Sequence, residues 1–571
     1  MLLSRYWQLL LCILTAFLLC VDATTGGWSL HFFATSLLAA FLLSCPTSFV
    51  HRPLRAVVQV ILGETVVCVC LVDCYCQLFL GSPITPQILT IIIQSNWRES
   101  GDFFSAFIGS YVFMQWRIIG ILTLALLFPI ALLIKWPFYF LPKTKKCWNI
   151  GVSVLITICL ACETVPAYRF YQLFAMDTDA QRMEGLIFRH YHEEIPTPLH
   201  RIFFAGYSLS QSRRMLESVR QTTLNATIDS CSHRSPHVVL IIGESYNKHH
   251  STLFGYAKPT TPLQQEREAK DELYVFRDVV TPWNITSNVF LNLFSTWQYG
   301  DGSPVGSCPL FPVFYRQADY AVSFFSNQYL LKGLKKGATN QMGNFFLSDP
   351  ELNKYMFSFR NRSSERYDMA MVKQVADVVL SKDRPAYTLD IIHLIGQHFE
   401  YAERYPANLA YFEAQDYTGM QLSLEAMQTK AHYDNATRYD DMVLDSLLSL
   451  YEHEDAVVVF IADHGEEVYD ELPVHGRLFQ QPTPALARQE FEVPMWIWCS
   501  ENYRQNHQEI VAKIKCAVGK PMTTGGISHL LLYLAGIKCR WTTEQKNVLS
   551  PCYQCRPRLI ADEVDYDELL K

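Results

Sequence analysis

The first 166 residues carry five apolar stretches, at roughly 6–22, 29–50, 56–81, 117–140 and 148–166, each long enough to cross a bilayer. Spanning a hydrocarbon core takes about 20 apolar helical residues. Within that core every backbone amide and carbonyl has to be bonded inside its own segment or barrel. Apolar runs of this length therefore restrict residues 1–166 to a helical membrane domain. Composition agrees, since only 18% of residues are charged against about 25% in soluble domains. The first stretch, with Arg5 ahead of an apolar core, resembles a secretory leader. A second run follows at once and no small-residue cleavage site separates them, so it reads as an anchor.

Loop charge sets the orientation. Arg52 and Arg55 lie between the second and third stretches, and Lys143, Lys145 and Lys146 between the fourth and fifth. The positive-inside rule puts these loops in the cytoplasm. The amino terminus is then cytoplasmic, and everything after residue 166 lies on the outer face. Residues 1–166 carry a net charge of +3 and the remainder −10. An acidic main domain without a basic stripe excludes nucleic acid as a partner. Ten of the 17 cysteines fall before residue 166, nearly all within apolar runs, where cysteine acts as a small packing residue. Cys552 and Cys555 form one C-x-x-C, read as a disulfide outside the cytosol. Glu64 and Asp73 fall inside the third stretch, facing either the bundle interior or a functional cavity.

Between the spans, residues 83–116 mix an apolar run, Ile88–Ile93, with the polar Gln94-Ser95-Asn96-Trp97-Arg98-Glu99, as in an outer-face segment that dips into the interface. Residues 167–235 are polar and amphipathic, helical around Gln181–Tyr191, and link to a domain at 236–571. There His237–Ile242, Ala321–Phe325, Tyr387–Ile392, Ala456–Ile461 and Val493–Trp498 are short apolar runs separated by helical patterns. Continuous apolar strands alternating with helices indicate a parallel α/β sheet covered on both faces. Ligands of such sheets bind at the carboxyl ends of the strands.

The chemistry-bearing residues fall at those ends. Glu244 follows the first strand, Asp463-His464 a later one with His475 beyond it, and His393 and His398 a third. Carboxylates and imidazoles together suit a catalytic zinc. A helix opens near Asn284-Ile285-Thr286-Ser287. Thr286 is either an N-cap or a hydroxyl that a metal activates as nucleophile.

Gly243-Glu244-Ser245, Gly255-Tyr256, Thr260-Thr261-Pro262 and Asp463-His464-Gly465-Glu466 resemble the membrane phosphoethanolamine transferases of Gram-negative envelopes, within the alkaline phosphatase/sulfatase superfamily. The five spans resemble that family's layout too. The resemblance implies a five-helix transmembrane domain followed by a sulfatase-like α/β/α sandwich in the periplasm, anchored in the inner membrane. It implies Glu244, Thr286, Asp463 and His464 as zinc ligands, with Thr286 also the nucleophile, nine residues before Ser295 of a Phe-Ser pair. His398 and His475 would bind phosphate or a second zinc, and one of them would supply a proton to the leaving group. His393 belongs to a segment similar to the family's substrate pocket, and Glu99, Asn96 and Gln94 to its donor-lipid segment. Phosphatidylethanolamine is the implied donor and lipopolysaccharide (lipid A or core sugar) or another envelope glycan the acceptor. The lipid A branch carries cysteines where this chain has Pro282 and Asn292, which favours a core or other glycan acceptor.

The nearest alternative is a lipoteichoic-type glycerol-phosphate transferase with the same layout. A sulfatase needs a C-x-P-x-R setting, and Cys555-Arg556-Pro557-Arg558-Leu559 breaks it at the last position. A decayed, non-catalytic receptor would have lost metal ligands that are all present here. Five spans without a repeat do not make a transporter. Four Asn-x-Ser/Thr sequons, at Asn225, Asn284, Asn361 and Asn435, read as chance.

Overall fold

The computed structural model describes residues 3–21, 30–79, 83–84, 88–89, 115–133, 145–175, 197–304, 306–328, 346–478, 482–561 and 564–571. Two compact units divide the chain, one mainly before residue 213 and one mainly after it. Gln94, Asn96, Glu99 and the expected helix at 181–191 lie outside the described residues.

The first unit places one helix on each apolar stretch. These are α1 (Leu3–Leu19), α2 (Leu30–Ser44), α3 (Arg52–Phe79), α4 (Trp116–Leu133) and α5 (Lys145–Ala175), followed by α6 (Pro198–Leu224). Three apolar segments, His31–Phe49, Leu54–Leu78 and Ser153–Tyr171, are long and apolar enough to cross a membrane. Trp7–Leu19 and Trp116–Leu132 are apolar but shorter, so by this measure the described helices give three spans where hydropathy suggests five. Residues 22–29 and 134–144, which adjoin the two shorter helices, are among those not described. Cys12, Cys20, Cys70 and Cys74 pack with Ile13, Phe17 and Phe128 in the core of this unit, as small apolar residues do. Asp73 is wholly buried and faces the interior, pairing with Arg201 at 3.0 Å and accepting from the Ile84 amide at 3.0 Å. Outward, α5 exposes Ile150, Val154, Leu155, Ile158, Leu160 and Val165, an apolar face that water would not tolerate cheaply.

The second unit is α/β. The strands that build the sheet and the site are β1 (His237–Gly243), β2 (Leu273–Phe276), β3 (Ala321–Ser326), β4 (Phe359–Arg360), β5 (Thr388–His393), β6 (Ala456–Ala462), β7 (Glu467–Val468), β8 (His475–Gly476) and β9 (Met495–Cys499). Seven of them form one sheet in the order β2-β9-β6-β1-β5-β3-β4. The centre is parallel, but β9 runs antiparallel to both β6 and β2, so the sheet is mixed and not the all-parallel sheet expected. An apolar run buried on both faces reads the same in either direction, which is why composition missed the reversal. Val238–Ile242 and Val457–Ile461 are entirely buried, each side chain worth about 1.5–3 kcal/mol.

β7 and β8 form a small hairpin off the end of β6. A charge network braces it against helix α8 (Leu424–Ser449), whose start is capped by Ser423 accepting from the Ala426 amide. Helix α7, Thr286–Phe294, comes earlier in the chain. His250 bridges Asp434 of α8 and Asp470 of the hairpin loop, the latter at 2.9 Å. Lys430 pairs with Asp470 and donates to the Val468 carbonyl at 2.7 Å. Tyr256 and Tyr417 donate to Asp434. Burial works against charge on His250, but Asp470 and Asp434 outweigh it and raise its pKa to about 9. The described cysteines, Cys552 and Cys555 included, are free thiols, so the expected C-x-x-C disulfide is not formed. The two sit exposed in an irregular segment, which offers no fixed geometry for a bridge.

Two outcomes follow for this unit. The His250 contribution to stability is complete below about pH 6.5 and is lost as pH rises through about 9. Thermal unfolding of wild type and His250→Gln should therefore converge as pH rises from 6 to 10, and a gap that stays constant would contradict the network. A Cβ on Gly465 would overlap the Gln489 carbonyl oxygen. Gly465→Ala should lower stability by about 1–3 kcal/mol, read as a drop in Tm; an unchanged Tm would refute the close approach.

Candidate active site

Strand register builds the site. β1 and β6 pair in parallel from His237↔Ala456 to Gly243↔Ala462, so the next residues, Glu244 and Asp463, leave the sheet side by side. The Asp463 amide donates to the Gly243 carbonyl at 3.0 Å, which extends the ladder one step. Ser245 then turns with φ of 55°, a left-handed conformation costing about 1–3 kcal/mol outside glycine. The turn is held from both sides: the Ser245 amide donates to Asp463 Oδ1 at 3.0 Å and its carbonyl accepts the Tyr433 hydroxyl at 2.6 Å. The His464 amide also donates to Asp463 Oδ1, at 2.7 Å.

That arrangement uses up Oδ1 and leaves Oδ2 of Asp463 with no hydrogen-bond donor among the described residues, at zero exposure. His464 Nδ1 donates to the Gly465 carbonyl at 2.8 Å, so its Nε2 carries the lone pair. Nε2 lies 3.3 Å from Asp463 Oδ2 and 3.5 Å from Glu244 Oε1. Thr286 is the first residue of α7, with Ile285 as the cap, so its hydroxyl is not an N-cap. Instead Thr286 Oγ1 sits 3.2 Å from Glu244 Oε2 and 3.5 Å from His464 Nε2. A tetrahedral shell with bonds of about 2.1 Å has donor atoms about 3.4 Å apart. The four separations just given match it, and Glu244, Asp463 and His464 form the one metal-competent group of their kind among the described residues. The donor set and the orphaned Oδ2 fit a small divalent cation.

Electrostatics bear the same mark. Burial opposes charge on Glu244, but the neighbouring His393 and His464 imidazoles hold its carboxyl well below the usual range. Burial, and then the Glu244 charge beside it, push Asp463 well above that range. Each buried carboxylate thus opposes ionisation of the other, a repulsion that a cation between them would relieve.

The remaining expected residues are spread around this core. His393 ends β5 opposite Ile242, is fully buried, bonds Ser326 Oγ at 3.0 Å and lies 3.6 Å from Glu244 Oε2. It lies behind Glu244. His398 is in the loop after β5, and His475 is on β8 with Nδ1 3.0 Å from the Tyr469 hydroxyl and its ring stacked on Phe399. Neither bonds Thr286 or the three acidic and histidine residues beside it. Burial lowers both imidazoles, His398 to about 3 and His475 to about 4. Asn284, Asn361 and Asn435 are buried, which bars glycosylation of the folded protein there. Sequence reading passed over Arg477, whose Nη1 is 3.3 Å from His464 Nε2, and Glu490, which holds the Asn284 amide at 2.6 Å. The signal available for Arg477 was its position directly after His475-Gly476.

Residues 236–517 match the sulfatase family model. The chain is 25% identical over 522 residues to phosphoethanolamine transferase EptC of Escherichia coli K12, covering 87% of this chain and 84% of the relative. The zinc complex of the E. coli EptC periplasmic domain superposes with a TM-score of 0.52 at 25% identity, over 60% of this chain and 96% of that one. The integral membrane lipooligosaccharide phosphoethanolamine transferase EptA of Neisseria meningitidis shares the fold over 97% of this chain and 99% of its own, with a TM-score of 0.63 at 18% identity. Sulfatase-type sheet, acid-and-histidine strand ends and family match agree: residues 236–517 form a sulfatase-family domain of the alkaline phosphatase/sulfatase superfamily, and the chain is similar over most of its length to phosphoethanolamine transferases.

Proposed function

We propose that the protein moves phosphoethanolamine from phosphatidylethanolamine to lipopolysaccharide, at lipid A or a core sugar, or to another envelope glycan, by double displacement at Thr286. The observation that carries this is Thr286 Oγ1 at the amino terminus of α7, facing Glu244 and His464. Zinc, held by Glu244, Asp463, His464 and Thr286, would lower the pKa of the threonine hydroxyl and offset charge on the phosphoryl oxygens. Thr286 Oγ1 attacks phosphorus, the bond to the diacylglycerol oxygen breaks, and the head group rests on Thr286. The positive end of α7 favours the anion there. An acceptor hydroxyl then attacks the same phosphorus and frees Thr286. His398 and His475 are neutral near pH 7, so either takes the acceptor's proton and, once charged, returns it to the next departing diacylglycerol oxygen. His393 positions Glu244.

Both lipid substrates demand a membrane-bound enzyme, and the anchor raises their local concentration. We assign residues 1–166 to five spans in the bacterial inner membrane, 167–235 to a linker and 236–571 to the periplasmic catalytic domain. Gln94, Asn96 and Glu99 remain the proposed donor-lipid contacts. Relatives named as phosphoethanolamine transferases that match over 80% of their length support this head group over glycerol phosphate.

Purified full-length protein supplied with phosphatidylethanolamine and lipopolysaccharide should release diacylglycerol and label the acceptor. Asp463→Ala should lose zinc and cut turnover by about 10³-fold or more. Release of glycerol phosphate from phosphatidylglycerol instead, or full activity without bound zinc, would contradict the reading.

A further inference from the structure

Arg477 has no assigned task, yet it stands at the nucleophile. It follows β8 directly, and its Nη1 donates to His464 Nε2 at 3.3 Å, the same atom that lies 3.5 Å from Thr286 Oγ1. Both groups are thus within 3.5 Å of one nitrogen. The carboxylates of Glu466, Glu244, Asp463 and Glu490 surround the guanidinium in charge terms. None reaches ion-pair distance among the described residues, and the His464 bond is its one hydrogen bond there. A purely structural arginine in such acidic surroundings would close on one of those carboxylates.

His464 Nε2 has a single lone pair, since Nδ1 holds the proton. If a cation takes that lone pair, Arg477 loses its acceptor and presents all five donors of a planar, permanently charged fork. A phosphoryl group held at Thr286 Oγ1 projects its non-bridging oxygens into the interval between the threonine and this fork. Bidentate guanidinium–phosphate pairing is the geometry the fork fits best.

We propose that Arg477 grips the non-bridging oxygens of the transferring phosphoryl group and is a catalytic residue of both half-reactions. It stabilises the charge those oxygens carry as the bond to the diacylglycerol or to Thr286 breaks. This rests on the transfer reading for the substrate, but the contact requires only a phosphoryl anion.

The test uses zinc-loaded full-length protein and Arg477→Ala and Arg477→Lys variants. Two readouts are taken, inorganic phosphate binding by calorimetry and head-group release from phosphatidylethanolamine. Zinc content and Tm serve as the structural control. The expected result is phosphate affinity at least tenfold weaker in R477A and intermediate in R477K. Turnover should fall about 10²–10³-fold in R477A, with zinc content and Tm held. Phosphate binding and turnover both within twofold of wild type in R477A would overturn the assignment. So would losses that merely track lost zinc or lowered Tm in both variants, which would make Arg477 a charge partner of the carboxylates. If wild type releases no head group but binds phosphate through Arg477, the transfer reading fails and this contact stands.

Discussion

Glu244 and Asp463 are buried side by side, and the rest of the site is arranged around that fact. Parallel register between β1 and β6 puts them there. Like charges at zero exposure are costly unless compensated. The chain supplies partial compensation: Ser245 and His464 amides on Asp463 Oδ1, Ser245 and Thr286 hydroxyls on Glu244, and the His393 imidazole 3.6 Å from Glu244 Oε2. It stops short of full compensation, leaving Asp463 Oδ2 without a donor. A protein core that needed only stability would have filled that vacancy with a hydrogen bond or replaced the acids. A binding site for a cation keeps it open.

Stability for this arrangement comes from elsewhere in the same unit. The sheet interior is a continuous block of valine, isoleucine and leucine on β1 and β6, capped by Phe460 stacked on Trp496. It fixes where the strands end to within a fraction of a residue, since a one-residue slip would invert every side chain. The hairpin that carries His475 and leads to Arg477 has only two short strands of its own. Its placement depends on the charged bridge from Asp470 through His250 and Lys430 to α8. Polar interactions therefore position the chemistry while apolar packing positions the strands.

Much of this was legible in the sequence. HVVLII before Gly243-Glu244 and AVVVFIA before Asp463-His464 announce buried strands with acids at their ends, because strand apolarity and placement of ligands at strand termini are both local signals. The resemblance to the family rested on those same motifs. Strand direction was not legible, since β9 is buried on both faces whichever way it runs. Nor was the closeness of His393 to Glu244, 3.6 Å from Oε2, since only three-dimensional register brings two strand ends together. Arg477 escaped notice because its neighbour His464 is 13 residues away in sequence. Hydropathy gave five apolar stretches, and each does become a helix, but helix length in the described residues supports three as spans.

The central claim is that Thr286 carries the head group between donor and acceptor. The direct measurement is the mass of the Thr286 peptide after brief exposure of zinc-loaded protein to phosphatidylethanolamine with no acceptor present. A phosphoethanolamine adduct on Thr286, discharged on adding lipopolysaccharide, is the predicted result. Release of diacylglycerol with Thr286 unmodified at every time point, or an adduct that the acceptor cannot discharge, would contradict it.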